Sequence, residues 1–191
     1  QPGEILYIDD IRISCCENTH YRPEDQFGKQ GPISLSYRFD APDRSMVFTG
    51  DTGPCLALEE FSKNADLLVG EIFDTELVIN RLRATNPDMS DHALLQMRQH
   101  FDEHHLTPED LGQLASRAGV KKVVAVHIPF ITKSAEEDAK LIYQRQTKKR
   151  LKNNVSLSFR PFLASREEFF KGALMLENTT EYSFLDNFYF S

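Results

Sequence analysis

At 191 residues, with 40% hydrophobic and 27% charged side chains, the sequence is long enough to bury a core and too polar to be a membrane bundle; no run of 18 apolar residues offers a span. The net charge of −7 argues against a broad phosphate-backbone footprint, since that needs clustered Lys and Arg. Three cysteines, of which Cys15 and Cys16 are adjacent, exclude a disulfide framework and contain no Cys-x-x-Cys for a zinc ribbon.

In chain order, the sequence begins Gln1-Pro2-Gly3 with no leader pattern, so a processed product or a fragment, cytoplasmic or exported to a periplasm, stays open. Residues 4–9 and 11–16 read as two short strands, the second with Ile11, Ile13 and Cys15 alternating with polar neighbours. It runs out into Asn18-Thr19-His20-Tyr21-Arg22, and residues 23–32, bounded by prolines, read as a loop. Residues 33–39 form a strand with Ile33, Leu35, Tyr37 and Phe39 on one face, and residues 45–49 return as a hairpin. This return strand stops at Thr49-Gly50-Asp51-Thr52-Gly53. An apolar run that ends on a carboxylate between two glycines fixes where that carboxylate points, and such a group is a good hard ligand for a divalent metal. The plainer alternative is a tight turn with Asp51 capping the next helix.

Pro54 is expected to open a helix to about Asn64. Residues 66–73 form a buried strand with Glu71 near its end, and residues 75–83 and 91–101 form two helices split by Asn86-Pro87, read as an inserted helical lid. Thr107-Pro108-Glu109-Asp110 is a helix start, followed by Leu111, Leu114, Ala115 and Ala118 on one face and a stop at Gly119. Residues 121–128 are a continuous apolar strand ending at His127. A capping box at Ser134 opens a helix to about Leu151, whose end carries the only dense basic run, at residues 148–152, and residues 155–159 form a last strand. Residues 167–175 read as helical, and the aromatic tail at 179–191 is left to dock on the body or a partner. Strands alternating with helices after Gly53, fed by hairpins before it, predict an α/β layered fold.

His20, Asp51 and His127 each lie at a predicted strand end, where ligand-holding residues gather. Two imidazoles and a carboxylate suit zinc, manganese or iron. Glu71 and His105 fall in adjacent loops. Each residue also has a plain reading: His127 as a core histidine, Glu71 paired with an arginine, His105 as a helix flank, Tyr21 and Arg22 as surface, the cysteines as small packed side chains, and His92, His100 and His104 as solvated.

Taken in order, His20, Gly50-Asp51-Thr52, Glu71, His105-Leu106-Thr107-Pro108 and His127 resemble the metallo-β-lactamase-fold hydrolases, in the branch of the tRNA 3′-end ribonucleases and phosphodiesterases. The resemblance spans roughly residues 5–159. It implies a metallo-β-lactamase-like αββα sandwich, here its C-terminal half over 1–160 with a helical insertion at about 75–103, and an extension at 161–191. It implies two divalent ions, zinc first with manganese or iron as alternatives, held by His20 and His127 with Asp51 between them. It makes His105 a proton donor or phosphate contact, oriented by Glu71, in hydrolysis of a phosphodiester, ester or similar bond. The family's His-x-His-x-Asp-His is absent, since the six histidines are 20, 92, 100, 104, 105 and 127. The expectation is a missing N-terminal half; the rivals are a catalytically inactive binding or assembly module and an unrelated α/β domain. The expected partner is a small-molecule substrate, with nucleic acid disfavoured by charge, no membrane, and a homodimer left open.

Overall fold

The computed structural model describes residues 3, 5–21, 32–129, 158–161 and 174–177, with helical positions at Glu137, Asp138, Lys140, Leu141, Ile142 and Gln144. Its strands are β1 (Ile5–Ile8), β2 (Ile11–Glu17), β3 (Leu35–Asp40), β4 (Ser45–Phe48), β5 (Leu67–Glu71), β6 (Lys122–Val126), β7 (Ser158–Pro161) and β8 (Leu174–Glu177). The helices are α1 (Leu56–Phe61), α2 (Thr75–Thr85), α3 (Asp91–His104) and α4 (Pro108–Ala118).

One sheet runs in the order β1-β2-β3-β4-β5-β6-β8-β7. The first four strands pair antiparallel, and β4, β5 and β6 are parallel to one another. The change follows from the connections. Short turns join β1 to β2 and β3 to β4, whereas parallel neighbours need a crossover, supplied by α1 between β4 and β5 and by α2 to α4 between β5 and β6. The ends of β4, β5 and β6 therefore lie side by side at one edge. The expected α/β architecture is met, as one mixed sheet with helices among the described residues.

The core lies on one face of this sheet. Val47, Leu68, Val123 and Ala125 alternate inward along β4, β5 and β6 and meet Leu58 of α1 and Leu111, Leu114, Ala115 and Ala118 of α4. Burying a side chain such as Leu58 or Leu111 contributes about 1.5–3 kcal/mol relative to exposing it. Helix α4 seats here because both ends are secured: Thr107 and Asp110 form a capping box, and Gly119 closes the C-terminus at φ +67°. On the opposite face Tyr37 and Phe48 pair across β3 and β4 and remain partly exposed.

Several boundaries depart from the sequence reading. Helix α1 starts at Leu56, not Pro54, because the segment through Pro54 is held in the loop after Asp51, where the Pro54 carbonyl accepts from Thr19 Oγ1. Helix α3 continues to His104, since its last carbonyls find partners in the loop after β2. Leu174 and Met175, expected in a helix, belong to β8, which pairs with both β6 and β7 and so gains ladder bonds that an isolated helix end would lack. The rest of the expected helix at 167–175, most of that at 134–151 with its basic end, and the tail at 179–191 lie outside the described residues.

Gly70 faces Leu111 so closely that a Cβ there would collide with Leu111 Cδ1. Gly70→Ala should overpack the β5–α4 contact and lower stability by ~1–3 kcal/mol, read as a fall in the urea midpoint. A midpoint equal to the parent's would mean that α4 shifts freely on the sheet.

Candidate metal centre

The loop after β4 turns at Gly50, whose φ of +61° is open to glycine and costly for most other residues. That turn swings Asp51 out beside the end of β5. Glu71 closes β5 and is 1% exposed, yet every oxygen is engaged. Its Oε1 accepts the Thr52 N–H at 2.7 Å, and its Oε2 accepts from His105 Nδ1 at 2.8 Å and from His127 Nδ1 at 3.4 Å. Burial pushes the Glu71 carboxyl up, but the bonds from His105, His127 and the Thr52 amide outweigh it and hold it below its ordinary range.

His127 is not a core histidine. Along β6, Val123 and Ala125 point inward, so an extended continuation would send residue 127 the same way. Instead His127 takes φ +55°, an uncommon conformation for a non-glycine residue, and its side chain is half exposed. The ring turns to the site, with Nδ1 at 3.0 Å from Asp51 Oδ1. The Glu71 hydrogen bond raises the His127 pKa, burial opposes this, and the Asp51 charge adds to the rise.

His105 follows α3 and is nearly buried, with its ring stacked on Phe73 at 4.9 Å between centroids. Phe73 also packs on Phe101 of α3. His20 sits after β2 and reaches the same place, its ring centroid 5.2 Å from that of His105. Its Nδ1 donates to the His104 carbonyl at 3.0 Å, which leaves the ring's lone pair on Nε2.

The structure thus brings all five predicted residues to one edge of the sheet, in two overlapping groups. One ligand atom each from His20, Asp51 and His105 lies within 4.8 Å of the others, and so do those of Glu71, His105 and His127. The second group is tied by its own hydrogen bonds. In the first, none of the hydrogen bonds described joins two of the three. A carboxylate and two imidazoles that share a space without bonding one another fit a divalent cation. His20 and His127 fall in different groups, linked through Asp51.

Other contributors were not legible. Asn18 is buried, donates through Nδ2 to Ser36 Oγ and to the Thr49 carbonyl, and accepts the His20 N–H on Oδ1. It therefore ties the His20 loop to the end of β4. A lone asparagine after a strand carries no signal for this. Phe73, read as the end of a buried strand, and Phe101 and His104, read as lid and solvated positions, also line the site. Tyr21 packs edge-on against His20, and Arg22 lies outside the described residues.

An acid and imidazole centre at the ends of adjacent strands, under a helix-covered mixed sheet, is the arrangement of the metallo-β-lactamase fold. The family model of the beta-lactamase superfamily domain matches residues 2–128, and the chain belongs to that superfamily. It is 29% identical over 114 residues to a ribonuclease Z of Mycobacterium avium, covering 59% of this chain and 36% of the relative. It is 30% identical over 112 residues to a ribonuclease Z of Ignicoccus hospitalis, covering 57% of this chain and 31% of the relative. The chain thus spans roughly a third of the length of these curated relatives. Among solved structures it is similar to the metallo-β-lactamase fold protein YhfI of Bacillus subtilis, at 19% identity and a TM-score of 0.48, covering 75% of this chain and 47% of that one.

Without metal, the two charged partners set opposite pH limits. The contribution of His127, whose pKa is raised from 6.5, is complete below that value and is lost as pH rises through the raised pKa. The contribution of Glu71, whose pKa is lowered from 4.5, is complete above that value and is lost as pH falls through the lowered pKa. Urea midpoints of chelator-treated protein should therefore decline on both sides of a plateau, and Glu71→Gln should shrink the alkaline decline, with Asp51 keeping the remainder. Separately, Asn18→Ala should cost ~1–3 kcal/mol, because it strands buried polar partners.

Proposed function

We propose that this chain contributes to the centre of a metal-dependent hydrolase that cleaves a phosphodiester. The supporting observation is the convergence of His20, Asp51 and His105 within 4.8 Å beside the Asp51–His127 contact at 3.0 Å. In this reading His20, Asp51 and His127 would hold two divalent ions, zinc first and manganese or iron as alternatives. The remaining ligands come from a His-x-His-x-Asp-His segment that none of this chain's six histidines forms, in an N-terminal half of the same fold. When bound, such ions lower the pKa of their water and polarise the scissile group.

The other steps belong to side chains. His105 gives Nδ1–H to the buried Glu71 carboxylate, which orients the ring so that its Nε2 edge faces the leaving oxygen as proton donor. The Phe73 stack holds that ring in plane, and the Thr52 amide holds the carboxylate. His127 Nδ1–H is held 3.0 Å from Asp51 Oδ1, and a cation held by these residues would compete with that proton.

The relatives named ribonuclease Z support an RNA phosphodiester ahead of the small-molecule substrate that the net charge of −7 favours. Net charge is a sum over the whole surface and does not govern contacts at one sheet edge. The absent His motif favours one rival, a binding module that holds metal without turnover.

In the full-length protein, chelation should abolish hydrolysis of bis(p-nitrophenyl) phosphate and of an RNA oligonucleotide, and zinc or manganese should restore it. Asp51→Ala and His105→Ala should each lower kcat by ~100-fold or more, and Asp51→Ala should also lower metal content. Metal uptake with no turnover of either substrate would support the binding module, and no uptake at micromolar zinc would defeat both readings.

A further inference from the structure

Helix α3 enters the site through a contact that neither the superfamily membership nor the proposed chemistry accounts for. His20 Nδ1 lies 3.0 Å from the His104 carbonyl oxygen, and His104 Nδ1 lies 2.5 Å from the His20 carbonyl oxygen. A carbonyl oxygen only accepts, so both rings carry a proton on Nδ1. For His20 this leaves the lone pair on Nε2.

The acceptor is not an ordinary loop carbonyl. His104 is the last residue of α3, and its C=O is one of the acceptors that a helix end leaves without an intrahelical donor. The negative end of the helix dipole adds to its pull on the His20 N–H. The helix end is itself held in register, with the His105 N–H bonded to the Phe101 carbonyl at 3.0 Å. It also abuts the Asp51 loop: a Cβ on Gly53 would collide with the Glu103 carbonyl. The His104 ring then secures the loop from the other side, through the His20 carbonyl.

We propose that His104 is a positioning residue of the metal centre: its reciprocal ring-to-carbonyl pair with His20 holds that ligand in the Nδ1–H tautomer and makes helix α3 a determinant of metal affinity. The affinity part rests on the metal reading above; the tautomer part does not. Loss of a partner that orients a ligating histidine lowers metal affinity about 10–100-fold.

Two measurements on the full-length protein test this. Long-range 15N–1H correlation spectra of the metal-free protein should show His20 protonated on Nδ1. In His104→Ala the backbone acceptor stays but the ring's hold on the His20 carbonyl is lost, so part of that signal should move toward the Nε2–H form, and the zinc Kd from chelator competition should rise about 10–100-fold. His104→Asn, which keeps an N–H donor near the Nδ1 position, should recover most of both. An unchanged tautomer and a zinc Kd within twofold of the parent in His104→Ala would overturn the proposal. So would a loss of affinity that tracks a loss of metal-free thermal stability and is not recovered by Asn. If the parent itself takes up no zinc, the metal reading fails while the His20 tautomer still decides the role of His104.

Discussion

The buried carboxylate of Glu71 is the constraint on which this sheet edge depends. A charge that is 1% exposed is tolerable only when its oxygens are fully partnered. Here the partners come from three separate segments: the Thr52 amide in the loop after β4, His105 after α3, and His127 after β6. Removing any one leaves charge uncompensated, so the three segments are held to one another through a single side chain. The parallel register of β4, β5 and β6 makes this possible, because it aligns their ends.

Around that hub the backbone accepts conformations that a plain strand end would avoid. Gly50 and His127 both take positive φ, one at no side-chain cost and the other at some. Their effect is the same: each breaks the inward-outward alternation of its strand and aims a polar group at the shared space. The glycine is a freely available solution, whereas a left-handed histidine persists because its ring is bonded to Asp51 and Glu71.

The helices divide into two kinds of support. Helix α4 contributes to the core, and its caps and apolar stripe would place it in many α/β folds. Helix α3 contributes through its end, where the His104 carbonyl, the His104 ring and the Phe101 ring meet the site. A segment that reads as a lid from its position in the chain is bonded to the first histidine of the centre. Its relation to the site is therefore structural as well as steric.

The sequence by itself determined the α/β class, most strand positions, the cap and stop of α4, and the order His20, Asp51, Glu71, His105, His127. These are local signals: alternation, capping chemistry, Gly next to Asp, and apolar runs that end on a polar residue. Tertiary structure alone decided that His105 is shared by both candidate groups, that His127 leaves the core face, and that Asn18, Phe73 and His104 serve the site. The strand character of Leu174 and Met175 was likewise invisible, because it comes from pairing with β6 and β7 rather than from local propensity. The reason is common to all of these: each depends on a partner far away in the chain, and one sequence records residue types but not which distant donor meets which acceptor.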